Sequence, residues 1–85
     1  MNSPAPATLL AYNDPRYRAP TPADVRAVVK MLELTADQVA VLVGMKDGRA
    51  VRRWLASCDS KTHAQIDYAA WRLLLIEAGL VKNQK

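Results

Sequence analysis

Three arginines, Arg49, Arg52 and Arg53, crowd a short stretch of the 85-residue chain. At about 100° per residue they share one helix face with Ala56. Val51, Trp54, Leu55 and Cys58 fall on the opposite face at the same i, i+3, i+4, i+7 spacing. A guanidinium stays charged and presents its donors in a planar fork, which fits the edge of guanine or a phosphate. The chemistry on offer is therefore recognition of an anion or a base. Arg49 and Arg52 are the candidates for base edges, and Lys46 and Arg53 for phosphates. A short helix so polarised, preceded by a second short helix and a tight turn, predicts a reader of the DNA major groove. The plainer reading of the same charges is a solvated basic face.

Placement of charge strengthens the first reading. The net charge is +4, and residues 44–57 contribute +3 of it (Lys46, Arg49, Arg52 and Arg53 against Asp47). Clustered positive charge draws a polyanion and releases its counterions. Half of the residues are apolar, with no Phe, so Leu, Val, Ala and two Trp must fill the core. No run alternates with period two, which predicts an all-α domain. One cysteine cannot form an internal disulfide, and no apolar run reaches the length of a signal peptide or membrane span. These features predict a soluble, cytoplasmic protein that makes no membrane contact.

The elements that must hold the arginines are marked by caps. Thr21-Pro22-Ala23-Asp24 is a helix start, with threonine as N-cap and proline at N1, and predicts a helix over 22–32 with Val25, Val28, Val29 and Leu32 inward. Thr35 and Gln38 form a capping box for a helix over 36–43, which Gly44 ends in a left-handed conformation. Both residues also sit where a helix start can meet a phosphate, which adds them to the candidate DNA contacts. Met45-Lys46-Asp47-Gly48 forms the turn, with Asp47 as cap for the arginine helix over 48–57. Residues 58–65 read as a polar connector, with Thr62 and Gln65 as a further capping pair.

A last helix is predicted over 66–78, ended by Gly79. It is apolar almost all round: Ile66, Ala69, Ala70 and Leu73 form one stripe, and Tyr68, Trp71, Leu75 and Ala78 another. Such a helix wants burial on two sides. The preferred reading sets Tyr68, Trp71 and Leu75 at a homodimer interface, and the alternative covers them with the N-terminal segment or the connector. Residues 1–20, with four prolines and no apolar period, read as an arm outside the domain of residues 21–81, and residues 82–85 as a polar tail. Arg16 and Arg18 in that arm offer contacts to DNA. The preferred reading of the arm is a disordered tail whose tyrosines tuck onto the domain.

The stretch from Leu34 to Trp54 resembles the lambda-repressor-like helix-turn-helix of the Cro/cI (XRE) family. The likeness rests on the capped Leu34-Thr35 start, the inward Val39-Ala40 pair, Gly44 before the turn, Val51, and Arg53-Trp54. It departs where the family usually carries glutamine at the first position of the second helix, here Ala36, and in a turn one residue longer. The resemblance implies a domain of four to five helices. A shorter likeness, in Asp14-Pro15-Arg16-Tyr17 and in Ile66-Asp67-Tyr68-Ala69-Ala70, is to the anti-CRISPR-associated repressors of phages and mobile elements, which implies dimeric autorepression.

No set of residues here matches a catalytic constellation, and no cofactor or metal is expected. His63 stands without a second ligand or carboxylate at suitable spacing, and reads as a surface histidine. Trp54 and Cys58 read as core. The expectation is therefore a non-enzymatic dimeric repressor on an inverted-repeat duplex operator. The rival is an antitoxin-like or anti-defence module that uses the same fold to bind a protein.

Overall fold

Two threonines set the start of the scaffold. In the computed structural model, which describes residues 4–57 and 59–81, Thr21 accepts from the Asp24 amide, and Asp24 accepts from the Thr21 amide at 2.9 Å. This box opens α1, Pro22–Leu32. Thr35 and Gln38 repeat the arrangement for α2, Ala36–Leu42, with Gln38 Oε1 2.9 Å from the Thr35 amide. Each box satisfies amides that the first helical turn would leave unpaired. Then come α3, Arg49–Leu55, and α4, Tyr68–Glu77. No strand occurs among the described residues, and the domain is all-helical. None of its helices is long and apolar enough to cross a membrane.

The core lies where the inward faces of the four helices meet. Val25 and Val28 of α1, Val39 and Ala40 of α2, Val51 and Trp54 of α3, and Trp71, Leu74 and Leu75 of α4 form one buried cluster. With small aliphatic side chains from three helices, the two tryptophans supply much of its bulk. Each contributes a large apolar area removed from water.

Five helix boundaries differ from the sequence-based expectation, and α2 and α4 each end one residue early. Helix α3 is shorter at both ends than 48–57, and Cys58 and the tail 82–85 lie outside the described residues. Helix α4 opens two residues later than predicted, with Asp67 as its N-cap, accepting from the Ala70 amide at 3.3 Å. Thr62 and Gln65 do not form the expected capping pair. Gln65 instead donates its amide to the Pro20 carbonyl at 3.2 Å, pinning the connector to the start of α1. His63 is half-buried rather than on the open surface, its Nδ1 3.0 Å from the Ala56 carbonyl.

The N-terminal segment departs further. Pro6–Leu9 form one turn of 3-10 helix, and this segment is part of the fold. Trp71 Nε1 donates to the Thr8 carbonyl at 3.0 Å, and Arg72 Nη1 to the Leu9 carbonyl at 2.8 Å. The Ala5 amide donates to the capping carboxylate of Asp24 at 3.0 Å. Farther along, Tyr12 and Tyr17 pack edge-on against Tyr68, with ring centres 5.1 and 5.6 Å away. The tyrosines tuck onto the domain as the tail reading expects, but the segment before them is an ordered turn bonded to α1 and α4 rather than a disordered tail.

That arrangement corrects the expected dimer face. Trp71 and Leu75 are fully buried within the single chain, so neither has surface to offer a partner. Of the three residues assigned to that face, Tyr68 alone keeps some exposure. The second apolar side of α4 is covered by residues 8–17 of the same chain, the alternative that the composition left open.

Candidate nucleic-acid interface

The site is built on the junction of α2 and α3. Gly44 has φ of +83°, the left-handed conformation that ends α2 cheaply only in glycine, and the Met45 amide reaches back to the Ala40 carbonyl at 2.8 Å. The chain then turns through residues 45–48 into α3. Val51 and Trp54 point into the core, which fixes the rotation of α3 about its own axis. At its far end, Arg26 of α1 donates Nη1 to the Leu55 carbonyl at 2.6 Å. That bond satisfies one of the carbonyls a helix end leaves unpaired.

With the apolar face inward, Arg49, Arg52 and Arg53 are exposed, as the periodicity predicts, and so is Lys46. Lys46, Arg49 and Arg53 line a shallow concavity of about 560 Å³ together with Met45, Asp47 and Ala50. Arg52 points to the α2 side of this face. Thr35 and Gln38 are exposed at the start of α2. Their capping bonds use the Thr35 oxygen and Gln38 Oε1, which leaves the Gln38 Nε2 group as a donor to solvent. Arg16 and Arg18 are exposed on the N-terminal segment, and Arg16 is paired with Asp14 at 3.3 Å.

Two carboxylates stand inside this basic face. Asp47 accepts from the Arg49 amide at 3.0 Å and pairs with its Nε at 3.2 Å. The bond from the Arg49 amide, more than the guanidinium charge, holds the Asp47 carboxyl below its ordinary value. Asp47 thus caps the first turn of α3 as expected, although Gly48 is the residue at the N-cap itself. Asp37, on α2, has a role that the helical period alone does not reveal. Its Oδ1 accepts from the Gly48 amide at 2.8 Å and lies 3.7 Å from Arg52 Nη1. The one signal for this junction was Gly48. A Cβ there would stand 2.6 Å from Asp37 Oδ1 and 3.0 Å from the backbone of Ala36 and Asp37, so only glycine lets the two helix starts meet.

Two capped helices joined by a glycine-ended turn, the second buried on one face and cationic on the other, define a small helix-turn-helix domain. No family model matches the chain. It is 37% identical over 67 residues to the transcriptional repressor protein KorC of Escherichia coli, a match covering 76% of this chain and 73% of the relative. A second Escherichia coli KorC protein is 36% identical over the same shares of each. The chain belongs to the KorC family of transcriptional repressor proteins.

Proposed function

We propose that this protein is a sequence-specific transcriptional repressor that lays α3 in the major groove of duplex DNA. One observation carries the reading above the others. The core fixes α3 through Val51 and Trp54, so that Arg49, Arg52 and Arg53 all face outward from one rigid helix. Arg49 and Arg52 would read base edges, while Lys46, Arg53 and the donor of Gln38 would hold phosphates and set the register. Repression follows from occupying promoter DNA, which fits the relatives' designation as repressors. The resemblance of residues 34–54 to the lambda-repressor-like helix-turn-helix supports the same docking, although the turn here is one residue longer.

The protein would act as a homodimer on an inverted repeat, since one helix of this length reads too few base pairs to find a unique site. With Trp71 and Leu75 spent on the core, the partner surface would be the outer side of α4. There Ala69 and Leu73 are exposed and Ile76 is half-buried, at i, i+4 and i+7. Two copies of α3 would then enter successive major grooves, about 34 Å apart.

Selection from a random duplex library at near-physiological salt tests the reading. An inverted repeat with half-site centres about 10 base pairs apart is the expected result. Folded protein that enriches no sequence would sink it, and would turn attention to a protein partner.

A further inference from the structure

Asp37 and Asp47 sit on the face that is meant to meet the most highly charged polymer in the cell, where a carboxylate opposes binding. Neither is needed merely as a hydrogen-bond acceptor, since an amide oxygen would accept from Gly48 or Arg49 equally well. What the charge adds is a hold on one arginine each: Asp47 on Arg49 at 3.2 Å, and Asp37 on Arg52 at 3.7 Å. Lys46 and Arg53 have no carboxylate partner among the described residues. The face is thus divided into two cations held by the protein and two left free. The division matches the roles argued above, with the held pair for base edges and the free pair for phosphates.

We propose that Asp37 and Asp47 are positioning residues that set the discrimination between DNA sequences, by restraining Arg49 and Arg52 from pairing with phosphates. This rests on the DNA-binding reading and deepens it. A restrained guanidinium is aimed forward into the groove instead of sweeping toward the nearest backbone oxygen. The carboxylate also repels any phosphate that approaches from the side. On an unmatched duplex, the arginine gains nothing to offset its separation from the carboxylate. On the matched duplex, a bidentate pair with guanine replaces that partner. The charges therefore weaken binding to every sequence, and to the wrong ones most. Both pairs are solvent-exposed, with Asp37 at 71% side-chain exposure, so their role is in selectivity far more than in stability.

The test is the double variant D37N/D47N in the full-length protein, which keeps both acceptor oxygens and removes both charges. Affinity is measured by fluorescence anisotropy against the library-selected duplex and a scrambled duplex of the same composition, across a salt series. The expected result is a gain of roughly ten-fold on the scrambled duplex, with a steeper salt dependence. The gain on the selected duplex should be clearly smaller, so that the ratio of affinities falls while the melting temperature holds. Equal gains on both duplexes, or no gain on either, would overturn the proposal and leave the DNA-binding reading standing. Wild-type protein with no preference between the duplexes would overturn both. If the double variant does not fold, D37N and D47N singly are read by the same ratio.

Discussion

Helices α3 and α4 both begin as apolar stripes in a short chain, yet the fold treats them in opposite ways. Helix α4 is enclosed on two sides, by the core of the other helices and by residues 5–9 of its own chain. Helix α3 is enclosed on one side, and its other side carries the exposed arginines. The difference lies in what each face can lose on leaving water. Burying Trp71 and Leu75 removes apolar surface at no polar cost once the indole N–H has found the Thr8 carbonyl. Burying Arg49, Arg52 and Arg53 would strand charges. The N-terminal segment therefore lies over the helix that gains from cover, and the arginine face of α3 stays open to solvent.

Substitutions should separate these two surfaces. The largest effect is expected from Trp71→Ala, which opens a cavity beneath the N-terminal turn and deletes the Thr8 bond. A loss of about 3–5 kcal/mol in denaturant unfolding is expected, close to the whole stability of a domain this size. Gly48→Ala comes next, because its new methyl collides with Asp37 Oδ1 and the α2 backbone. A loss of about 1–3 kcal/mol is expected, with weaker DNA binding as α3 is pushed off α2. Arg52→Ala should leave stability within about 0.5 kcal/mol of wild type. It should nevertheless cost roughly 1–3 kcal/mol on the preferred duplex and far less on random DNA, by titration of both. Equal losses on the two would reduce Arg52 to a phosphate contact.

The smallest effect concerns acid. Asp47 has its carboxyl held below the ordinary 3.8 in the folded protein, chiefly by the Arg49 amide. A depressed carboxyl adds stability above its unfolded value and loses it as pH falls through the folded one. Asp47→Asn should therefore lower stability slightly at neutral pH and make its further loss below about pH 4 shallower, so that the two proteins converge in acid. A steeper acid limb in the variant would contradict the assignment of Asp47 as an accepting cap.

How much of this was legible in the sequence depended on the distance over which each feature is decided. The bounds of α1, its Thr21 cap and the Thr35–Gln38 capping box were readable because threonine, proline and a polar third residue act within one turn, whereas the Asp24 half of the first box showed only in the structure. The arginine face was readable because helical period alone places it. The start of α4 was misplaced because Thr62 and Gln65 offer a local cap, while the actual partner of Gln65 is Pro20, 45 positions away. The left-handed Glu33 that ends α1 carries no glycine to announce it. The role of Asp37 was hidden since it exists only once α2 and α3 have met. The segment 4–20 was least readable of all, because the partners that order it (Asp24, Gln65, Tyr68, Trp71 and Arg72) lie far along the chain, and prolines there suppress any periodic signal.

Those same bonds decide when the molecule can finish folding. The carbonyls of Thr8 and Leu9 await donors that lie 63 positions downstream. On the ribosome, Thr8 and Leu9 emerge well before Trp71 and Arg72, and α4 cannot be sealed until all four are out. Closing so long a loop carries an entropic delay that a purely local helical bundle escapes, so this domain should fold more slowly than its helix content alone suggests. The helices that carry the arginine face sit in mid-chain and can come together earlier. The closing of residues 8 and 9 over α4 then follows the assembly of the face that carries the arginines.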